Sequence, residues 1–97
     1  MKFEWDGEKR QANLEKHGVD FRDITSVFRN PHLTYSSPIV DEKRHVAIGQ
    51  LRSPDRPEPW SGPLVAVVHV RRGGAYRIIS ARRARKNERR AYEVLLG

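Results

Sequence analysis

The chain has no cysteine, so neither a disulfide framework nor a cysteine metal site holds it together. It has no long apolar run either. The longest, Leu64–Val68, is far shorter than the stretch of about 20 residues that spans a bilayer as a helix. The opening segment, MKFEWDGEKR, lacks the apolar core of a secretion signal. Together these absences suit a cytoplasmic protein without a membrane association. No HExxH, no acidic metal loop and no Cys/His set occurs, so no resident metal or cofactor is expected. There is no GxxxxGK[ST] or GxGxxG phosphate loop, and no recognisable Ser-His-Asp order. Acids are scarce as well: 12 Asp and Glu stand against 19 Lys and Arg, for a formal charge of +7.

That shortage of acid is local. Residues 1–50 carry equal numbers of acids and bases, so the whole excess of +7 lies in residues 51–97. A concentrated cationic surface draws polyanions by releasing their counterions, which points to RNA, DNA or an acidic protein segment. The length of 97 residues suits one domain, 1–97, with one modest core. No repeat at solenoid spacing is present.

Asp6 is placed to cap a first helix running to His17, with Gly18 in the left-handed position beyond it. Asp20 resembles the cap of a second helix whose Phe21, Ile24, Val27 and Phe28 share one face, and Asn30-Pro31 stops it. Leu33–Ser36 reads as a short strand. Arg44–Leu51 alternates as a strand, with Val46 and Ile48 on one side and His45, Ala47 and Gly49 on the other. Arg52–Pro63 holds four prolines and reads as an exposed loop. Leu64–Arg71 is apolar on both faces, as a central strand is. Arg72-Gly73-Gly74 is a hairpin turn, and Ala75–Ala81 returns beside it. A last helix is expected over Arg82–Leu96. The order defines an α+β two-layer domain: helices, an antiparallel meander, and a closing helix.

At about 100° per residue, Ala84, Ala91 and Leu95 of the last helix share an arc that should face the sheet. Arg82, Arg83, Arg85, Lys86, Arg89 and Arg90 spread over the other side. Glu88 falls inside the apolar arc, where a carboxylate is costly unless paired. It reads as a structural ion pair with Arg77 or Arg82, or as the group that positions a catalytic arginine. Strand alternation places Tyr76, Ile78, Ser80 and Arg82 on one side and Arg77, Ile79 and Ala81 on the other. Ser80 is then suited to cap the last helix, and with Arg82 to meet a phosphate. Metal-free RNA cleavage needs a proton acceptor, cations for the phosphorane-like transition state and a proton donor. Arginine supplies only the second. Proton carriers could come from His17, Lys16, His45, His69 or Tyr92. His69 reads as a hydrogen-bonded core group and His32 as loop surface.

Four ordered pieces, FEWDGEKRQANLEKHGVDF, the VF at the end of the second helix, DEKRHVAIG and RIISARRARKNERRAYE, resemble the BrnT family of toxins from type II toxin–antitoxin modules. The long Arg52–Pro63 loop departs from that pattern. The resemblance implies a RelE-like fold and a metal-independent endoribonuclease that blocks translation by cutting mRNA. It also implies a BrnA-type antitoxin with a ribbon-helix-helix part, through which the complex would reach operator DNA. The family-matched positions that could form the catalytic site are Lys16, His17, Arg44, Ser80, Arg82 and Glu88. Arg83, Arg85, Lys86, Arg89 and Arg90 would be the RNA-binding face. On this reading Arg82→Ala abolishes cleavage and leaves the fold intact. The alternative is a basic RNA- or DNA-binding module without catalysis, recognised by binding without product.

Overall fold

Asp6 separates the first strand from the first helix. Its carboxylate accepts from the backbone N–H groups of Glu8 (2.8 Å) and Lys9 (3.3 Å), which satisfies two donors that open any helix. In the computed structural model, which describes residues 1–38, 43–52 and 62–97, strand β1 spans Lys2–Glu4 and helix α1 spans Gly7–His17. Gly18 ends α1 at φ 71°, a conformation that a side chain disfavours. Both boundaries follow the sequence expectation.

The next segment departs from it. Helix α2 is only Thr25–Arg29, because residues 20–27 are joined by bonds from N–H groups to carbonyls three residues earlier, such as Asp23 to Asp20 and Val27 to Ile24. That tight winding stacks every third residue, and it still buries Phe21, Ile24, Val27 and Phe28 together. Asp20 is held to Arg10 by two bonds of 2.7 and 2.9 Å and accepts from the Arg22 N–H. It closes a turn instead of capping a helix.

Strands β2 (Leu33–Pro38), β3 (Lys43–Gln50), β4 (Leu64–Arg72) and β5 (Ala75–Arg83) form an antiparallel meander, and β1 adds parallel to β5. The sheet order is β1-β5-β4-β3-β2. Gly73 and Gly74 make the tight β4–β5 turn with φ of 53° and 82°. The proline-rich loop lies mostly outside the described residues.

Alternation divides the sheet into two faces. One carries Ala47, Val65, Val67, Ile78 and Ala81 and packs on Phe21, Ile24, Val27 and Phe28. The other carries Val46, Ile48 and Ala66 and packs on Ala84 and Tyr92 at the closing helix α3, Lys86–Leu95. The α+β class and the element order hold, with α2 and α3 on opposite faces. Two expectations about β5 and α3 do not. First, β5 runs on to Arg83, so Ser80 lies within the strand and caps nothing. Second, Ala91 and Leu95 are exposed, not core; Val94, Leu95 and Leu96 are 78%, 67% and 41% exposed.

One buried polar residue ties α1 to the sheet. β1 pairs with β5 only as far as Arg77, which leaves the later edge of β5 without a strand neighbour among the described residues. Asn13 takes that place. Its amide donates to the carbonyls of Ala81 (2.8 Å) and Val19 (2.9 Å) and accepts from the Ala81 N–H (3.1 Å). Asn13→Ala leaves three backbone groups without partners, each costing about 1 kcal/mol or more when buried. We expect a loss of about 2–3 kcal/mol, read as a lower urea midpoint at unchanged slope. Asn13→Asp, which accepts but cannot donate, should be no better.

Candidate functional site

An irregularity in β5 decides where its side chains point. Val68 lies opposite Ser80 but His69 lies opposite Ile78, so Ile79 is an extra residue in the ladder. Tyr76 and Ile78 therefore share the α2 face with Ala81, against the simple alternation expected. Ser80 and Arg82 remain on the α3 face.

On that face, α3 covers the rows built on Ile48 and Val46. Arg44 lies one row beyond Val46 on the same face. There the end of α1 and the edge of β5 enclose an open cleft of about 440 Å³. Lys16 and His17 reach it from the last turn of α1, Arg44 from β3 and Ser80 from β5; Lys9 and Asn13 complete its α1 wall. Lys16 is exposed, whereas His17, Arg44 and Ser80 are half-buried. Among the described residues that line the cleft, none is acidic. Two lysines, an arginine and a histidine thus surround a hydroxyl, an arrangement suited to an anionic group and to moving a proton beside it.

Arg82 lies opposite Ala66 in the row of Ile48, one row beyond Ser80, and meets Glu88 of α3 there. Glu88 is 4% exposed. Arg82 meets it with both terminal nitrogens, at 2.7 and 3.0 Å, and the Arg85 N–H (2.7 Å) and the Tyr35 hydroxyl (2.5 Å) also donate to it. Burial works hardest against the charge, but these donors, Arg82 first, outweigh it and hold the Glu88 carboxyl at about 2. Glu88 is thus the partner of Arg82 in a buried ion pair, and it also takes the Arg85 N–H that opens α3. The same contact raises the Arg82 pKa further. Burial, followed by the Glu88 contact, raises that of Tyr35.

The cleft therefore gathers Lys16, His17, Arg44 and Ser80, while Arg82 and Glu88 are bonded to each other beside α3. Arg83, Arg85, Lys86, Arg89 and Arg90 are all exposed, as expected. Lys9, Asn13 and Tyr35 were not anticipated. The signal for Tyr35 was its place opposite Val46 on the α3 face, which only strand pairing reveals. His32 is half-buried against the Phe28 ring at 5.5 Å, not loop surface. His69 is 2% exposed, as a core group would be, and its Nδ1 lies 3.1 Å from the Val67 carbonyl.

A small basic α+β domain whose cleft is lined, among the described residues, by cations and no acid has the character of proteins that handle polyanions. Its family is more specific. A family model described as the ribonuclease toxin BrnT of type II toxin–antitoxin systems matches residues 5–88, and the chain belongs to that family. The crystal structure of the Brucella abortus ribonuclease toxin BrnT is similar at 32% identity and a TM-score of 0.63, over 89% of this chain and 99% of that one. No curated protein matches the sequence significantly. The family description carries ribonuclease activity, an RNA target and an antitoxin partner. Among the described residues, no helix is long and apolar enough to cross a membrane.

Proposed function

We propose that RNA is cut in the Lys16–His17–Arg44–Ser80 cleft, without a metal ion. The observation that carries this is the convergence of these four side chains, from three separate elements, around one space that no acid among the described residues lines. A lining of cations is a poor host for a metal ion and a good one for a phosphodiester. The 2′-hydroxyl attacks the adjacent phosphorus, losing its proton to a cleft base. The bond to the 5′-oxygen breaks, and that oxygen takes a proton from a cleft acid. The products are a 2′,3′-cyclic phosphate and a 5′-hydroxyl. Arg44 faces the charge that grows on the non-bridging oxygens, Ser80 donates a hydrogen bond to them, and Lys16 or His17 moves the proton. Arg82, engaged with Glu88, positions the strand end from which Ser80 projects.

In this reading the exposed cations Arg83, Arg85, Lys86, Arg89 and Arg90 guide RNA to the cleft and receive an acidic segment of the antitoxin. Cutting mRNA stops translation. A BrnA-type ribbon-helix-helix antitoxin neutralises the toxin in the cytoplasm, and the complex represses its own operon through operator DNA. Residues 1–97 act as one domain.

The test is RNA cleavage by the purified protein in excess chelator. Fragments with cyclic phosphate ends are expected to persist. Arg44→Ala should slow their formation about 10²–10³-fold, the usual cost of removing one donor to a developing oxyanion. Loss of all cutting in chelator would overturn metal independence. An unchanged rate in Arg44→Ala would remove the cleft from the mechanism. Salt-sensitive binding without product would establish the non-catalytic binding module instead.

A further inference from the structure

The opposite face of the sheet carries a second cavity that the cleavage reading does not use. It encloses about 320 Å³ beside Phe28, near the low end for small-ligand sites. Its walls are rings. Phe28 lies 5.0 Å from His69 and 4.8 Å from Tyr76, and His45 lies 5.8 Å from His69 across the β3–β4 pair. His32 closes the side nearest α2. At the exposed rim Arg71 donates to the Tyr76 hydroxyl at 2.7 Å, and its guanidinium carbon stands 5.0 Å from the centre of that ring. Thr34 adds a hydroxyl.

The chemistry of these groups is selective. With Nδ1 of His69 donating to the Val67 carbonyl, Nε2 is left as the acceptor nitrogen. Burial, opposed in part by the Val67 hydrogen bond and helped by the nearby His45, Arg71 and His32, lowers the pKa of that ring and favours its neutral form. An acceptor among aromatic walls, with a hydroxyl beside it and a cation at the mouth, suits a flat heteroaromatic ring that bears N–H groups and trails an anion. A plain apolar ligand would strand the polar edges, and a metal ion would sit beside Arg71. A free anion would gain nothing from Phe28.

We propose that this cavity binds a nucleotide, with its base stacked among the rings and donating to His69, and its phosphate at Arg71. The site is separate from the cleft and does not rest on the cleft being where RNA is cut. The nucleotide could be free or part of an RNA strand, and the chain carries its own reporters for telling these apart. Of its four histidines, His32, His45 and His69 line this cavity and His17 lines the cleft.

The experiment is a titration with AMP, UMP and inorganic phosphate at constant pH, followed through the histidine ring resonances. Saturable shifts of His32, His45 and His69 with a mononucleotide, His17 staying in place, are expected. Arg71→Ala, a substitution at an exposed site, should weaken binding about tenfold while the rings remain assembled. A short RNA in the cleavage-impaired Arg44→Ala background identifies the source. If the strand moves the three cavity histidines and AMP displaces it, the nucleotide belongs to RNA; if only AMP moves them, it is free. Equal shifts from inorganic phosphate alone, shifts confined to His17, or no saturable shift at millimolar nucleotide would each overturn the site. Because binding is read without product, the outcome is independent of whether cleavage is found.

Discussion

Arg82→Ala should lower the stability of the fold by about 3–5 kcal/mol, the range seen when one partner of a buried ion pair is removed. The expectation from sequence was loss of cleavage with the fold intact; the buried pair adds an expected effect on folding. Glu88 sits at 4% exposure with two of its four hydrogen bonds from Arg82. Without them the carboxylate keeps, among the described residues, only the Arg85 N–H and the Tyr35 hydroxyl. It must then either remain charged in a poor environment or take up a proton. Urea unfolding measures the loss, and Arg82→Ala/Glu88→Gln should recover part of it, since a neutral amide still accepts from Arg85 and Tyr35. A loss below about 1 kcal/mol, the level of an exposed pair, would rule out the buried-pair assignment.

The same pair sets an acid limit. In the folded protein the Glu88 carboxyl is held at about 2, against 4.5 for an unperturbed glutamate. A depressed carboxyl contributes stability above its unfolded value, and that contribution fades as pH falls from about 4.5 toward 2. At 1.36 kcal/mol per unit the full contribution is about 3 kcal/mol. In Arg82→Ala this part of the pH dependence should flatten. Any activity assay of an Arg82 variant therefore needs the folded fraction measured beside it.

What could be read from the sequence was mostly local. Asp6 and Gly18 bound α1 through groups within a turn of each helix end. Val46 and Ile48 declare the α3 face by alternation alone, and the inward direction of Glu88 follows from helical spacing. The misses have a common physical origin in distant partners. Arg82 and Arg83 have no intrinsic reason to avoid the helix, but pairing with Ala66 and Val65 draws them into β5, so α3 starts at Lys86. With α3 so placed, Tyr92 and the preceding Ala84 make the apolar contact with the sheet, and Ala91 and Leu95 face outward. The extra residue at Ile79 is defined only against β4. Asn13 looked like any polar residue in a surface helix until the unpaired edge of β5 was set beside it. The histidine cavity likewise exists only because His45 and His69 pair across strands 24 positions apart in the chain.

Lys16→Ala should slow RNA cleavage about 10²–10⁴-fold, the usual contribution of a group that moves a proton in the transition state. The residue is exposed in the last turn of α1, alanine is a better helix former, and the lost charge near the helix end is worth at most about 1 kcal/mol. The fold should therefore survive, which the urea midpoint checks directly. Lys16→Arg separates two roles. Arginine keeps the positive charge but does not release its proton at working pH. If Lys16 transfers a proton, Lys16→Arg is as slow as Lys16→Ala. If it only neutralises phosphate charge, Lys16→Arg retains most of the rate and the large loss moves to His17→Ala. Small primary amines should restore part of the Lys16→Ala rate in the first case and not in the second. Wild-type rates in both Lys16→Ala and His17→Ala would show that the cleft does not carry the proton transfer at all.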